Sequence, residues 1–400
     1  MDNKSSRLKA VTHGFFLSIT TTIAEPSIIL PLIVSYFGGT ALVVGILTSL
    51  IKGGAIFVQL FAAFGAQNLS YVQPHLRYVF LTRFLSWFGI GVAIYFFGEN
   101  YPTLTLYLIG LGLFTFSFAA GFGTIYFNEL LAKVFTNRYR AKVFAGRQMA
   151  AGVGALISGA IAGAMLEYYE PPYSYAYLFM LSSFMMALGI AAFISIPEPK
   201  KTNLSVKESS FKEFIKNAMI TLKADEVLRL QIVTYLISYT YLLSMPFIIL
   251  DASSKIALNG IEIGYLLTTQ IVGAMFSNLL WAKLAHNSQI RLLITLAFIL
   301  HIAALSVALF ANTLFMYMVV FALLGSAIDG MRLAFSNNIL TIAPEDKRPV
   351  YIALQSNLTS IGLFFSIPGA FILAAYSYEV LYMFTIFTLV SGLVYFRLKT

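Results

Sequence analysis

Apolar stretches broken by short polar turns run from one end of the chain to the other. Windows of the ~20 apolar residues that a bilayer core requires fall near 12–36, 41–63, 78–98, 103–128, 144–166 and 174–196. A second six fall near 227–250, 260–282, 290–310, 314–339, 350–375 and 378–396. The pattern predicts twelve membrane-crossing helices and an all-α integral membrane protein. The one long polar segment, Pro197 to Glu226, opens with Pro197, Pro199, Lys200 and Lys201 and holds a capping box, Ser205 to Glu208. After it, Phe211, Phe214, Ile215 and Met219 recur at helical spacing among Lys212, Lys216 and Lys223, the pattern of an amphipathic helix lying on a membrane surface. The division that follows is an N-terminal bundle over 1–196, a cytoplasmic linker over 197–226 and a C-terminal bundle over 227–400.

Composition agrees with this division. The 400 residues are 59% hydrophobic and 11% charged, and the mean hydropathy is +0.81, far too apolar for a water-covered surface. The net charge of +9 does not mark a nucleic-acid binder, because the basic residues punctuate apolar runs rather than gather on one solvated face. Cysteine is absent, which excludes disulfides, thiolate metal sites and thiol nucleophiles. The bases place the loops. Lys133, Arg138, Arg140, Lys142 and Arg147 lie between spans four and five, and Lys347 and Arg348 between ten and eleven. The alternate loops hold Glu99, Glu167, Glu170, Asp251 and Glu379 with Lys255 as their base. By the positive-inside rule the basic loops and both termini are cytoplasmic.

The two sets of six repeat one another. Glu25-Pro26-Ser27-Ile28-Ile29-Leu30 in span one aligns with Met245-Pro246-Phe247-Ile248-Ile249-Leu250 in span seven. Gly45, Leu47, Gly54 and Ala55 keep the spacing of Gly264, Leu266, Gly273 and Ala274. A basic turn, Arg140 to Gln148, aligns with Lys347 to Gln355. Two related six-helix halves joined by a linker are a recurrent transporter design.

On these residues the whole chain resembles a bacterial permease of the major facilitator superfamily. The loop motif of that family survives as Ala282-Lys283-Leu284-Ala285-His286-Asn287, with histidine in place of the acid, and its first copy, Gly65 to Leu69, lacks both the acid and the following arginine. Asn128-Glu129-Leu130-Leu131-Ala132-Lys133 followed by Phe144-Ala145-Gly146-Arg147 resembles the pattern of one permease group within it. The resemblance implies alternating access by rocking of two halves about a cavity lined chiefly by spans one, four, seven and ten. It also directs attention to charges inside those spans.

Ionisable groups at the bilayer centre are costly and mark ion or substrate paths by default. Glu25 and Lys52 each lie eleven residues from the outer end of their span, roughly 16 Å deep at 1.5 Å per residue. Their counterparts in the second half are Met245 and Ile271, so the shared scaffold does not demand the charges. They are the candidates for proton coupling, with a structural ion pair as the alternative. In span ten, Asp329 and Arg332 stand three residues apart, with Arg332 either receiving an anionic substrate group or pairing with Asp329 so that the two neutralise each other. Thr22, Tyr126, Asn128, Tyr241 and Gln270 join them as candidate cavity residues. Arg83, Glu129 and Arg147 form a candidate cytoplasmic gate or structural tie, and a lone His301 reads as a packed side chain.

The functional expectation is a proton-coupled secondary transporter for a small organic solute, monomeric, in the bacterial inner membrane. Sodium is the alternative coupling ion, and multidrug efflux the alternative within transport. A lipid-acting membrane enzyme is disfavoured because His13, His75, His286 and His301 form neither a metal-spaced cluster nor an acyltransferase signature. No catalytic residues, metal or cofactor are expected, and no ATP-binding loop is present.

Overall fold

The structure, a computed structural model, describes residues 4–23, 25, 27–56, 58–59, 61–62, 69–200, 211–344 and 348–399. The capping box at 205–208, Pro26, most of the first loop motif and Lys347 lie outside them. Every regular element is helical among the described residues. The first apolar stretch forms α1 (Lys4–Ile23) and α2 (Ile29–Tyr36), and the second forms α3 (Ala41–Gly53). Spans three to six are α4 (Gln73–Phe97), α5 (Pro102–Val134), α6 (Asn137–Tyr168) and α7 (Tyr173–Ile194). The amphipathic helix of the linker is α8 (Phe211–Ala224).

The second half follows as α9 (Glu226–Ser238) and α10 (Met245–Lys255) for span seven, α11 (Gly260–His286), α12 (Ile290–Phe310) and α13 (Leu314–Ile342). Span eleven comprises α14 (Arg348–Thr359) and α15 (Ser366–Ala375), and span twelve is α16 (Tyr378–Lys399). Ten of these segments are long and apolar enough to cross a membrane, and α3 is apolar but shorter. α1, 20 residues long and carrying Lys4, Arg7 and Lys9, is not among the ten.

The divisions have a common cause. Proline has no amide proton and its ring crowds the carbonyl four residues back, so the helix must rewind upstream of it. In span seven a tight 3-10 turn, Tyr239–Leu243, precedes Pro246, and in span eleven a second, Ser360–Phe364, precedes Pro368. Span one breaks between α1 and α2, where the Glu25 carbonyl accepts the amides of Ile28, Ile29 and Leu30 at 3.1–3.4 Å. Pro246 and Pro368 therefore mark where spans seven and eleven depart from regular helix.

The chain forms two compact units. One comprises residues 1–39, 50–208 and 259–264; the other comprises 40–49, 209–258 and 265–400. Within the first unit α1 packs on α6 and α7, and α4 on α5 and α7. The second unit repeats the scheme, with α9 on α14 and α16, and α12 on α13 and α16. The exchange of two short segments is explained by close helix approach at the repeated glycines. At Gly45 a methyl group would come within 2.6 Å of the Ser366 carbonyl, and Ser366 hydrogen-bonds both Ser49 Oγ (2.8 Å) and the Gly45 carbonyl (2.9 Å). Its counterpart Gly264 lies against Gly163, and the Gly260 amide donates to Glu167 at 3.0 Å. One step further in, Gly54 abuts Phe114 and Ser117 of α5, while Gly273 abuts Ala322 of α13. The repeat seen in sequence is thus a repeat of packing.

Several charged residues near the ends of spans have structural tasks. Glu198, just after α7, accepts the free amides of Val72 and Gln73 at 2.8 Å each, supplying acceptors that the first turn of α4 lacks within its own helix. Lys133 binds the same carboxylate at 2.7 Å in a buried pair. Lys133 therefore has a structural role beyond setting topology. Asp251, which the sequence places in an outer acidic loop, is instead fully buried in α10. It accepts hydrogen bonds from Tyr317 (3.0 Å) and Tyr382 (3.2 Å) and pairs with Lys255 at 3.1 Å.

Candidate functional site

In the first unit the break in span one places Glu25 outside regular helix, half-buried, between the end of α1 and the start of α2. The Ser27 hydroxyl donates to Glu25 Oε1 at 3.3 Å, and the Glu25 amide donates to the carbonyl of buried Thr22 at 3.1 Å. Lys52, in the last turn of α3, is close enough for its charge to act on the carboxylate. No direct contact within 4.0 Å joins them among the described residues, and Lys52 is exposed. The relation is looser than an ion pair, a carboxylate hydrogen-bonded by Ser27 with a lysine nearby.

Deeper in the same unit, Arg147 of α6 donates to the Ala10 carbonyl at 2.8 Å and to His13 Nδ1 at 3.0 Å, and lies over the Phe127 ring at 4.5 Å. These bonds tie α6 to α1 within one unit. Arg83 of α4 lies over the Phe116 ring at 4.3 Å, with its Nε buried and unbonded among the described residues. Glu129 is half-buried and Asn128 exposed on α5. Tyr126 is 8% exposed, packed into a core with Val79, Leu130 and Phe135 and against the His75 ring. It packs into the interior of the first unit.

In the second unit, Arg332 Nη2 pairs with Asp329 Oδ1 at 2.9 Å, and Asn278 of α11 donates to Asp329 Oδ2 at 2.9 Å. The Arg332 side chain is nevertheless 60% exposed, against 17% for Asp329. It lies ten residues from the C-terminal end of α13, about 15 Å at 1.5 Å per residue. A guanidinium exposed to lipid tails at that depth costs at least about 2.5 kcal/mol; facing water removes the penalty. The geometry therefore fits a hydrated face on α13.

Beside Arg332 runs a series of rings that sequence reasoning had only partly named. Phe335 stacks on Tyr235 (4.3 Å, 13°), Tyr235 lies 5.2 Å from Tyr239, Tyr239 lies 6.4 Å from Tyr241, and Tyr241 stacks on His301 (4.6 Å). Phe335 and His301 are fully buried, while the three tyrosines between them are half-buried. The i, i+4 spacing of Tyr235 and Tyr239 in an otherwise mixed helix was the available signal. His301 Nδ1 lies 3.1 Å from the Ala297 carbonyl, in keeping with a packed side chain. Gln270 is buried at the crossing of α11 and α13, its carbonyl against Gly325. An amide network of Gln231, Gln355 and Asn338 joins α9, α14 and α13 through contacts of 2.7–2.8 Å.

The sequence profile of the Major Facilitator Superfamily matches residues 12–251, and the chain belongs to that family. Solved structures of transporters share the fold. A structure of the nucleoside transporter NupG superposes with a TM-score of 0.73 at 10% identity, covering 98% of each chain. A POT family transporter in complex with 5-aminolevulinic acid gives 0.69 at 12% identity, covering 98% of this chain and 94% of the other. A bacterial homologue of the iron transporter ferroportin, in an inward-facing state, gives 0.69 at 13%, covering 97% and 98%. No curated protein sequence matches the chain. The protein is a membrane transporter and not an enzyme.

Proposed function

We propose that the chain is a proton-coupled secondary active transporter that moves a small organic solute by alternating access. The working halves are residues 1–196 and 227–400, joined by the linker at 197–226, and Glu25 carries the coupling proton. The observation that carries this reading is the setting of Glu25: a carboxylate at a helix break inside a span, bonded by Ser27 and not locked to Lys52. A carboxylate in a tight buried ion pair stays ionised, whereas one held only by hydrogen bonds from a neighbouring serine exchanges its proton more readily when its surroundings change. The charge of Lys52 acts on it from nearby, so any motion that alters their separation alters proton occupancy. Arg332, Asp329 and the adjacent tyrosines supply the solute-binding face.

The excess of bases in alternate loops supports cytoplasmic termini and residence in a bacterial inner membrane, where a proton gradient is available. The partners are the solute, the proton and the surrounding lipid, and the transporting unit is the monomer.

The test begins with a ligand-stabilisation screen of purified protein, followed by flux of the best ligand in proteoliposomes with an imposed pH gradient. Glu25→Gln should abolish gradient-driven accumulation while retaining solute exchange at equal pH. Full pH-driven accumulation in that variant would overturn the assignment, as would flux that follows a sodium gradient and ignores pH.

A further inference from the structure

We infer that the second unit carries a recognition subsite for planar, uncharged aromatic or heteroaromatic solutes bearing an amide-like edge, built from Tyr235, Tyr239, Arg332, Asp329 and Asn278. The inference rests on the transport reading and specifies the chemistry of its solute.

Three observations converge on it. First, Tyr235 and Tyr239 present half-buried rings in series, backed by fully buried Phe335. The ring planes of Phe335 and Tyr235 differ by 13°, and the position of Tyr239 is set by Gly362, which leaves no room for a side chain against its Cβ. Such rigid π faces favour a flat partner over a saturated one of equal area, since stacked rings gain more than their buried area alone supplies.

Second, Arg332 stands three residues before Phe335 on α13, one helical turn from the ring that stacks on Tyr235. Its exposed side chain keeps donors available after one nitrogen has bound Asp329. An acceptor such as an amide carbonyl at the edge of a stacked ring meets those donors.

Third, Asp329 lies beside Arg332 and is held in place by Asn278. The pair is neutral overall, and the carboxylate repels a second anion while remaining able to accept an N–H. A donor next to an acceptor, over an aromatic face, matches a neutral edge carrying both an acceptor and a donor. A simple carboxylate lacks the donor and meets the repulsion of Asp329.

The experiment uses the full-length protein in detergent with three probes: benzamide, its saturated analogue cyclohexanecarboxamide, and benzoate. Of the two tryptophans in the chain, Trp281 lies in this unit, bonded to the Ser326 carbonyl at 3.0 Å and packed on Gly330 one residue from Asp329. A Trp87→Phe background therefore makes fluorescence report on this unit, with thermal stabilisation as the second readout. Benzamide should bind roughly tenfold more tightly than cyclohexanecarboxamide, and benzoate should bind more weakly than benzamide. Tyr235→Leu should erase the preference for the aromatic ring, and Tyr235→Phe should keep it. Should Tyr235→Leu fail to fold, the probe ranking on the parent protein and on Tyr235→Phe still decides.

Equal binding of the two amides, preference for benzoate, or no saturable binding of any probe up to its solubility overturns the subsite. Binding in detergent needs no pH gradient, so such a failure leaves the coupling role of Glu25 standing. Conversely, pH-driven flux that survives in Glu25→Gln overturns coupling and leaves the probe ranking intact.

Discussion

The Tyr317 hydroxyl donates to Oδ2 of Asp251 at 3.0 Å, joining α13 to α10 around a carboxylate that has no exposure to solvent. Tyr382 of α16 donates to the same oxygen at 3.2 Å, and Lys255 supplies the opposite charge. Three spans of the second unit thus meet on one buried charge. Hydrogen bonds to charged groups contribute about 1.5–3 kcal/mol each. Tyr317→Phe and Tyr382→Phe should each lower thermal stability in detergent by roughly that amount, with strong coupling in the double variant. Additive losses would show that the two hydroxyls act independently of the shared carboxylate.

Glu198 holds the start of α4 and pairs with Lys133 in a buried setting. Removing one member of a buried pair leaves the other charge uncompensated, at about 3–5 kcal/mol. Glu198→Ala should therefore be among the most destabilising single changes in the first unit. Glu198→Gln, which keeps an acceptor for the α4 amides, should lose less. A melting temperature unchanged by Glu198→Ala would remove the capping role.

The repeated glycines make a packing prediction with an internal control. A methyl group at Gly54 would lie 2.9 Å from the Phe114 carbonyl, and one at Gly273 would collide with the Ala322 backbone, whereas one at Gly89 would meet nothing within 4 Å. Overpacking costs about 1–3 kcal/mol. Gly54→Ala and Gly273→Ala should destabilise by that order and slow transport, while Gly89→Ala should be neutral or slightly stabilising through its better helix propensity. The measurements are melting temperature and initial flux; equal effects at all three sites would argue against close packing as the cause.

At the start of span seven, Asp225 caps α9 by accepting the Leu228 amide at 3.0 Å and also accepts the Tyr351 hydroxyl. Partial burial pushes its carboxyl up. The Tyr351 hydroxyl, the Leu228 and Val227 amides and the Arg229 charge outweigh that and hold it below the ordinary value of 3.8. With the folded value depressed, the stabilisation is fully present above the unfolded value and is lost as pH falls through the folded one. Stability should therefore decline below an ordinary aspartate titration, and Asp225→Asn should flatten that part of the profile. Thermal melts over about pH 2–6 check this, and an unchanged profile in Asp225→Asn would assign the acid sensitivity elsewhere.

The fold was largely legible because a bilayer imposes a coarse rule: a spanning segment must be apolar over ~20 residues. That rule marked twelve windows, and ten helices among the described residues are long and apolar enough to cross a membrane; helical spacing marked the amphipathic α8, and aligned residues the duplication that Gly45, Gly264, Gly54 and Gly273 realise as matching helix contacts. It read Asp251 and Lys133 as loop charges because position along the chain does not reveal burial. Helical spacing assigns faces only relative to one another, so the packing of Tyr126 beside Val79 and Leu130 was not legible in it.

By itself, then, the sequence determined that this chain crosses a membrane many times as two related halves, and which few charges lie within the spans. Hydrophobicity and periodicity are local properties and survive without neighbours. Only the tertiary structure decided that Glu25 sits at a helix break with Ser27, apart from Lys52, and that Arg332 stays exposed while bound to Asp329. It alone brought Phe335, Tyr235 and Tyr239 into one stacked series. Each relation depends on distances of a few ångström between different turns or different helices, set by where prolines break the spans and glycines let them touch.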